Sequence, residues 1–125
     1  MNNMSYGILK KALDTASLRQ ETISSNIANV NTPGYKVNKV AFESHLKQAL
    51  DGTGLVRTDD GHMHIGGSDT LDPTVHKRTN TSVKDNGNNV DVDYEMAELA
   101  ANNIYYDAVV SQLNAKYAMM RTVLK

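Results

Sequence analysis

The chain contains no cysteine and no tryptophan, and only one phenylalanine and two prolines among its 125 residues. The lack of cysteine excludes disulfides, thiolate zinc sites and cysteine nucleophiles. No run of 18 apolar residues is present, so no segment has the composition of a membrane-spanning helix. With 13 basic and 14 acidic residues, a net charge of -1 provides no basic surplus for nucleic-acid binding. We therefore expect no nucleic-acid partner.

The first residues also lack the apolar core of a cleaved secretory signal. We expect the chain either to stay in the cytosol or to leave it by a route that needs no cleaved signal. Its length suits a single domain.

Apolar residues are scarce in the middle of the chain. Residues 51–90 hold eight of them, together with six of the eight glycines. We therefore predict a terminal helical assembly domain formed by residues 1–50 and 91–125, with residues 51–90 as a polar central loop or small hairpin insertion. Because Asp60-Gly61 is a two-residue hairpin signal, at most one small β-hairpin is expected, around Gly61.

The N-terminal segment predicts a long helix, since its stripe positions recur in steps of three and four. The helix should begin near 3–5 and end near 29–31, because Pro33 disfavours the helical conformation at the residue before it. Asn29 and Asn31 can satisfy carbonyls of the last turn or adopt a left-handed conformation. The stripe consists of Leu9, Leu13, Ala16, Gln20, Ile23, Ile27 and Val30.

A turn and a short helix are predicted next. Thr32-Pro33-Gly34-Tyr35 has proline and glycine at the positions that a type II turn requires. The short helix ends at Asp51-Gly52. Its apolar face consists of Phe42, Leu46, Ala49 and Leu50.

The C-terminal segment predicts a helix of about 48 Å, since no glycine or proline occurs between Asp93 and Leu124. Acidic residues at its start and basic residues near its end suit the helix dipole. Asp93 is the preferred N-cap, followed by Asp91. Its stripe consists of Val92, Met96, Leu99, Asn103, Tyr106, Val110, Leu113, Tyr117, Met120 and Leu124.

Stripes this narrow are typical of coiled-coil seams. The predicted fold is mainly α, with two long terminal helices that carry coiled-coil-type seams, a short helix after the turn and a polar central segment. The seams can pair within one chain or between chains. Gln20 and Asn103 are single polar residues within the seams, which either specify register or are tolerated at half-exposed positions. We also hypothesise that the helix ends order fully only on assembly.

The chain contains little that predicts catalysis. His62 and His64, beside Asp59 and Asp60, could bind a divalent metal, but no third well-spaced ligand accompanies them. An exposed hairpin strand accounts for them more simply. We therefore predict no catalytic residue, no cofactor and no metal site, and do not expect an enzyme.

Two segments resemble a known family. Residues 25–36, SNIANVNTPGYK, strongly resemble the N-terminal signature of bacterial flagellar rod and hook proteins, and residues 89–99, NVDVDYEMAEL, resemble their C-terminal pattern. The similarity is greatest to proteins of the proximal rod. The signature turn comprises Asn26, Asn29, Asn31, Thr32, Pro33, Gly34 and Tyr35.

The resemblance implies a structural subunit of the basal-body rod that self-associates in a helical assembly and transmits torque from motor to hook. It further implies export through the flagellar type III apparatus and a place in the periplasm. The implied partners are other rod proteins, the ring-to-rod adaptor protein and the membrane ring. The alternative is a cytosolic coiled-coil adaptor or export chaperone that uses the same seams.

Overall fold

A computed structural model describes residues 3–50, 72–79, 85 and 87–124. Two long helices at the ends of the chain enclose a short helix and a two-stranded sheet, which confirms the predicted fold class. No helix within these residues is both long and apolar enough to cross a bilayer. The elements are α1 (Asn3–Ala28), β1 (Asn38–Ala41), α2 (Glu43–Leu50), β2 (Thr74–Lys77) and α3 (Val92–Val123).

The two long helices pair within the chain and run antiparallel. At one end of the pair, the hydroxyls of Tyr6 and Tyr117 are 3.1 Å apart and their rings meet edge to face. Near the middle, Asn102 Nδ2 donates to the Ala16 carbonyl at 2.9 Å. Residue numbers along α1 rise as those along α3 fall, so the two helices are antiparallel. Because both contacts join residues of one chain, the pairing lies within one subunit.

The α3 residues that α1 buries form a stripe beside the predicted seam. Glu95, Asn102, Val109 and Leu113 are the buried residues of α3, and only Leu113 belongs to the seam. On α1, the seam does face α3, because Ala16 and Ile23 are buried. The small side chains of Ala12 and Ala16 allow α3 to approach closely. Much of the α3 seam thus remains exposed.

The short helix α2 covers one side of this pair. Phe42, the residue before α2, is 1% exposed and packs with Ala12, Val109 and Leu113, and Leu46 lies against the same cluster. Of the four residues predicted to share a face, only these two have described side chains. The helix ends at Leu50, directly before the predicted stop.

An ion pair fixes the start of α2 on α1. Both terminal nitrogens of Arg19 donate to the two carboxylate oxygens of Glu43, and Nη2 also donates to the Val40 carbonyl at 3.3 Å. The hydrogen bonds from Arg19 hold the pKa of Glu43 below its ordinary value, so the carboxylate stays ionised at neutral pH. The pair thereby anchors the chain between β1 and α2.

The sheet was not predicted where it occurs. β1 pairs antiparallel with β2, with Asn38 opposite Lys77 and Ala41 opposite Thr74. The predicted hairpin around Gly61 lies outside the described residues. The sequence Asn-Lys-Val-Ala has no clear alternation, and its pairing partner lies far away in the chain, so local pattern gave no signal for β1.

The N-cap of α3 corrects the preference for Asp93. Asp91 has an extended backbone, and its Oδ1 accepts from the backbone N–H groups of Asp93 at 3.1 Å and Tyr94 at 3.4 Å. Asp93 was the wrong choice because its own N–H is one of the orphan donors of the first turn. Val90, at 1% exposed, fixes the chain just before the cap.

We predict that Asp91→Ala lowers the free energy of unfolding by about 1 kcal/mol, because two first-turn N–H groups lose their acceptor. Asp93→Ala is the matched control and should cost only about 0.3–0.5 kcal/mol, through the helix dipole. Urea unfolding followed by circular dichroism at 222 nm measures both. An equal or larger loss for Asp93→Ala would contradict the assignment of the cap.

Candidate functional site: the junction of the two signature segments

The signature turn leaves α1 as the sequence predicts. The N–H of Tyr35 donates to the Thr32 carbonyl at 3.3 Å, and Gly34 has a φ of +72°. A type II turn requires a positive φ at its third residue, which glycine adopts without steric cost. The predicted turn is therefore confirmed, and it directs the chain from α1 toward β1.

Asn29 has one of the two roles considered for it. Its Nδ2 donates to the Ser25 carbonyl at 2.8 Å, and its Oδ1 accepts from the Thr32 hydroxyl at 3.1 Å. It thus satisfies a carbonyl in the last turn of α1. Neither Asn29 nor Asn31 is left-handed, since only glycines have a positive φ among the described residues. Asn31 is exposed to solvent.

Asn26 joins α1 to β1 and α3. Its Nδ2 donates to the Asn38 carbonyl at 2.9 Å and to Glu95 Oε2 at 3.1 Å. Its Oδ1 accepts from the Tyr35 hydroxyl at 3.1 Å and from the Asn38 N–H at 3.0 Å. The side chain is 1% exposed, and both donors and both acceptor positions of the amide are used.

Asn88, which directly precedes the C-terminal signature segment, holds the turn that follows α1. Its Nδ2 lies 2.9 Å from the Asn29 carbonyl, 3.1 Å from that of Val30 and 2.8 Å from that of Thr32. Its Oδ1 accepts from the Val90 N–H at 2.8 Å. The three carbonyls lie after the end of α1. A residue next to the C-terminal segment therefore supplies the partner of backbone carbonyls in the N-terminal signature turn.

Asn89 connects the same region to the sheet. Its Oδ1 accepts from the Val37 N–H and its Nδ2 donates to the Arg78 carbonyl, both at 2.6 Å. Its own N–H donates to the Tyr35 carbonyl at 3.3 Å. Val37 is 1% exposed and Asn89 is fully buried. These bonds fix the strand edge against the signature turn.

We call this arrangement the asparagine junction, defined as Asn26, Asn88, Asn89 and the chain from 29 to 38. It brings together the two segments that carry the family resemblance. Sequence motifs pointed to Asn26 and the turn, but none pointed to Asn88 or to the buried role of Asn89. The only available signal was two adjacent polar residues directly before the buried Val90, a pattern that loops share.

The junction's chemistry is positional. Its amide groups bond to backbone groups, to the Tyr35 hydroxyl and to one carboxylate, and such contacts hold segments together. Within the described residues, no group of three or more histidine, aspartate or glutamate side chains could hold a metal ion. His62 and His64 lie outside those residues.

Comparisons with known proteins match this chain over the N-terminal part of the junction and well beyond it. The family model described as "Flagella basal body rod protein" matches residues 8–36, from α1 through the signature turn. The flagellar basal body rod protein FlgB of Bacillus subtilis is 41% identical over 116 residues, covering 93% of this chain and 89% of the relative. The chain belongs to the flagellar basal body rod protein family.

More distant FlgB relatives extend this result. The protein of Borreliella burgdorferi is 34% identical over 122 residues, covering 90% of each chain. That of Escherichia coli is 32% identical over 123 residues, covering 93% of this chain and 89% of the relative. Membership of the rod protein family makes the chain a structural component of the flagellar basal body.

We predict that Asn88→Asp lowers the free energy of unfolding by at least about 3 kcal/mol. The substitution keeps the shape of the side chain but replaces an NH₂ group, whose two N–H donors face three carbonyls, with a buried anion that repels them. Urea unfolding measures the change. Asn31→Asp is the control on the exposed part of the same turn and should stay within about 0.5 kcal/mol. If both variants lost similar free energy of unfolding, the hydrogen bonds of Asn88 at the junction would not be the source of its contribution to stability.

We predict that Gly34→Val lowers the free energy of unfolding by about 2 kcal/mol and Gly34→Asn by about 1 kcal/mol or less. Asparagine tolerates a left-handed backbone far better than a β-branched residue does. Apart from its chain neighbours, no atom lies within 4 Å of a Cβ added at Gly34, so the added Cβ itself meets no obstacle and the backbone conformation should dominate. Thermal and urea unfolding compare the two variants. Equal losses would show that backbone conformation is not the cause.

Proposed function

We propose that this rod protein assembles in the proximal rod through its two terminal helices and transmits torque from motor to hook. The observation that carries the proposal is the uncovered seam of α3. α1 covers the neighbouring stripe of α3, and α2 packs beside it. A regular apolar stripe that the described part of its own chain leaves largely uncovered is suited to contact neighbouring subunits.

The uncovered seam runs along most of α3. Val92 and Tyr106 are each 39% exposed, Met96 is 52%, Tyr117 is 43% and Leu124 is 85% exposed. Exposed apolar residues that occur singly need no explanation, but this set recurs at coiled-coil spacing. We propose it as the seam that packs against helices of adjacent subunits.

The two polar seam residues lie at one groove. Gln20 of α1 and Asn103 of α3 line a groove of about 290 Å³ with Ala16, Ser17 and Tyr106. The small side chains of Ala16 and Ser17 leave room for a side chain from another helix, in the manner of a knob in a hole. On this reading Gln20 and Asn103 flank an inter-subunit contact, where they can specify its register.

A second groove extends the same face. Tyr117, Met120 and Leu124, the last three seam residues, line a groove of about 690 Å³ with Asn114 and Arg121. A neighbouring helix laid along the face would meet both grooves in succession. Methionine adapts to non-identical neighbours, which suits a subunit that contacts several rod proteins.

The asparagine junction supports the mechanical part of the proposal. Torque passes through a subunit only if its segments keep fixed angles. At the junction, α1, β1 and the start of α3 are held by buried hydrogen bonds rather than by a flexible linker. The signature turn therefore fixes the direction in which the chain leaves α1, and we propose that this angle sets the geometry between subunits.

The proposal also includes the export route, the final location and the partners that the family resemblance implies. The subunit would leave the cytoplasm through the flagellar type III export apparatus without a cleaved signal and assemble in the periplasm. Its partners would be other rod proteins, the ring-to-rod adaptor protein and the membrane ring, together with further copies of itself.

Complementation and fractionation test the proposal. In a strain that lacks its own copy of the gene, the chain should restore swimming and be present in purified basal bodies. Recovery only in the cytosol, with no copy in basal bodies, would favour the export chaperone or adaptor instead.

We predict that Ser17→Phe abolishes or strongly reduces swimming while leaving the free energy of unfolding within about 0.5 kcal/mol, because Ser17 is exposed and the new ring fills the groove. The readouts are the swimming diameter in soft agar and urea unfolding. Ser25→Phe is the matched control, since it makes the same change at an exposed α1 position that does not line the groove. Normal swimming by Ser17→Phe would remove the groove from the proposed interface.

A further inference from the structure

A polar cleft lies between α1, β1 and α3, next to the asparagine junction. It has a volume of about 190 Å³ and shares no lining residue with the two seam grooves. Four charged side chains line it: Arg19, Lys39, Glu95 and Glu98. Glu95 and Glu98 belong to the C-terminal segment that carries the family resemblance, but that resemblance assigns no role to the charges of the cleft.

Glu95 is an unusual carboxylate for a helix surface. It is only 3% exposed, and its hydrogen bond to another side chain comes from the neutral amide of Asn26. In the part of the chain that the structure describes, no basic nitrogen lies within 4 Å of it, since the ion pairs there are Lys11 with Asp72 and Arg19 with Glu43. A buried carboxylate without a cation is costly for the isolated subunit, although the N-terminal end of α3 offsets part of this cost because Glu95 lies in the first turn.

The two cations of the cleft are already engaged. Arg19 forms a double hydrogen bond with Glu43 and also bonds to the Val40 carbonyl. Lys39 Nζ donates to the Tyr94 hydroxyl at 2.9 Å and lies 4.8 Å from the centre of that ring.

The charges of the cleft therefore do not cancel. The Arg19–Glu43 pair is neutral, which leaves Lys39 with one positive charge against the two negative charges of Glu95 and Glu98. The hydrogen bonds to Glu43 are the main reason that the pKa of Arg19 is raised, and the charge of Glu98 adds a small contribution, so Glu98 shares part of its field with that guanidinium. Glu95 is the group that lacks a counterion, and one further cation would neutralise the cleft.

We propose that this cleft receives a single lysine or arginine side chain from a neighbouring rod subunit, whose cation pairs with Glu95. Glu98 lies one helical turn along α3 from Glu95, on the same face, so one guanidinium or ammonium group can be stabilised by both carboxylates. The inference rests on the proposed role as an assembled subunit. It adds an ionic contact, with named chemistry for the partner, to the apolar seam.

The inference predicts opposite effects of one substitution on the free and the assembled protein. Glu95→Gln keeps a carbonyl oxygen to accept from Asn26 but removes the uncompensated buried charge. The free subunit should therefore melt about 4 °C higher. The neighbour's cation would lose its partner, so swimming diameter and the amount of the variant in basal bodies should each fall at least about twofold.

Thermal unfolding followed by circular dichroism, soft-agar swimming and quantification in purified basal bodies measure these effects. Glu21→Gln is the matched control, because Glu21 is exposed on α1 and does not line the cleft. It should change neither melting temperature nor assembly. Glu98→Gln should weaken assembly less than Glu95→Gln, since Glu98 is exposed and close to Arg19.

Two results would overturn the inference. One is a Glu95→Gln protein that enters basal bodies as efficiently as the unmodified chain; the other is a lower melting temperature, which would mean that the carboxylate stabilises the free subunit. Failure of the unmodified chain to enter basal bodies would instead contradict the proposed function. The amount of the unmodified chain in basal bodies tests the proposed function, and the comparison of Glu95→Gln with it tests the ionic contact.

Discussion

The arrangement of the helices depends on the buried amide of Asn26. One side chain bonds to β1, to the signature turn and to α3, and it has no unused donor or acceptor position. In a buried site, removal of any partner leaves a polar group unsatisfied, which costs more than the bond itself contributes. The junction is therefore cooperative, and α1, β1 and α3 keep their relative directions together or lose them together.

Sequence patterns predicted the parts of the fold that depend on local chemistry. The three-four alternation predicted α1 and α3, and Pro33-Gly34 predicted the turn, because helix periodicity and a positive φ are properties of adjacent residues. Asn88 and Glu95 could not be recognised, since buried and exposed polar residues look the same in one sequence. Their roles depend on partners 56 to 69 positions away.

Periodicity also could not decide which side of α3 meets α1. The predicted seam contains Leu113, yet the buried stripe continues through Val109 and Asn102, one position before Val110 and Asn103. Apolar residues occur on both stripes, so periodicity alone does not select one of them. The small residues of α1 decide the matter, because Ala12 and Ala16 admit α3 closely. Asn103 therefore lines a groove on the outside of the helix pair, where we expected it to specify register, while Asn102 lies in the contact between α1 and α3.

Some regions of this subunit have all their polar and apolar contacts within one chain, and others do not. We propose that the second kind of region contacts neighbouring subunits. At the junction, Asn26 fills every hydrogen-bonding position of its amide within one chain, so that region needs no neighbour. Among the residues that the structure describes, the α3 seam leaves apolar area exposed, and Glu95 is buried without a counterion. Both features are unfavourable in a free subunit and favourable beside a neighbour of complementary chemistry. An apolar seam alone could slide along a neighbouring helix, whereas a single charge in a cleft fits only one axial position. The two contacts together would define a unique place in the rod.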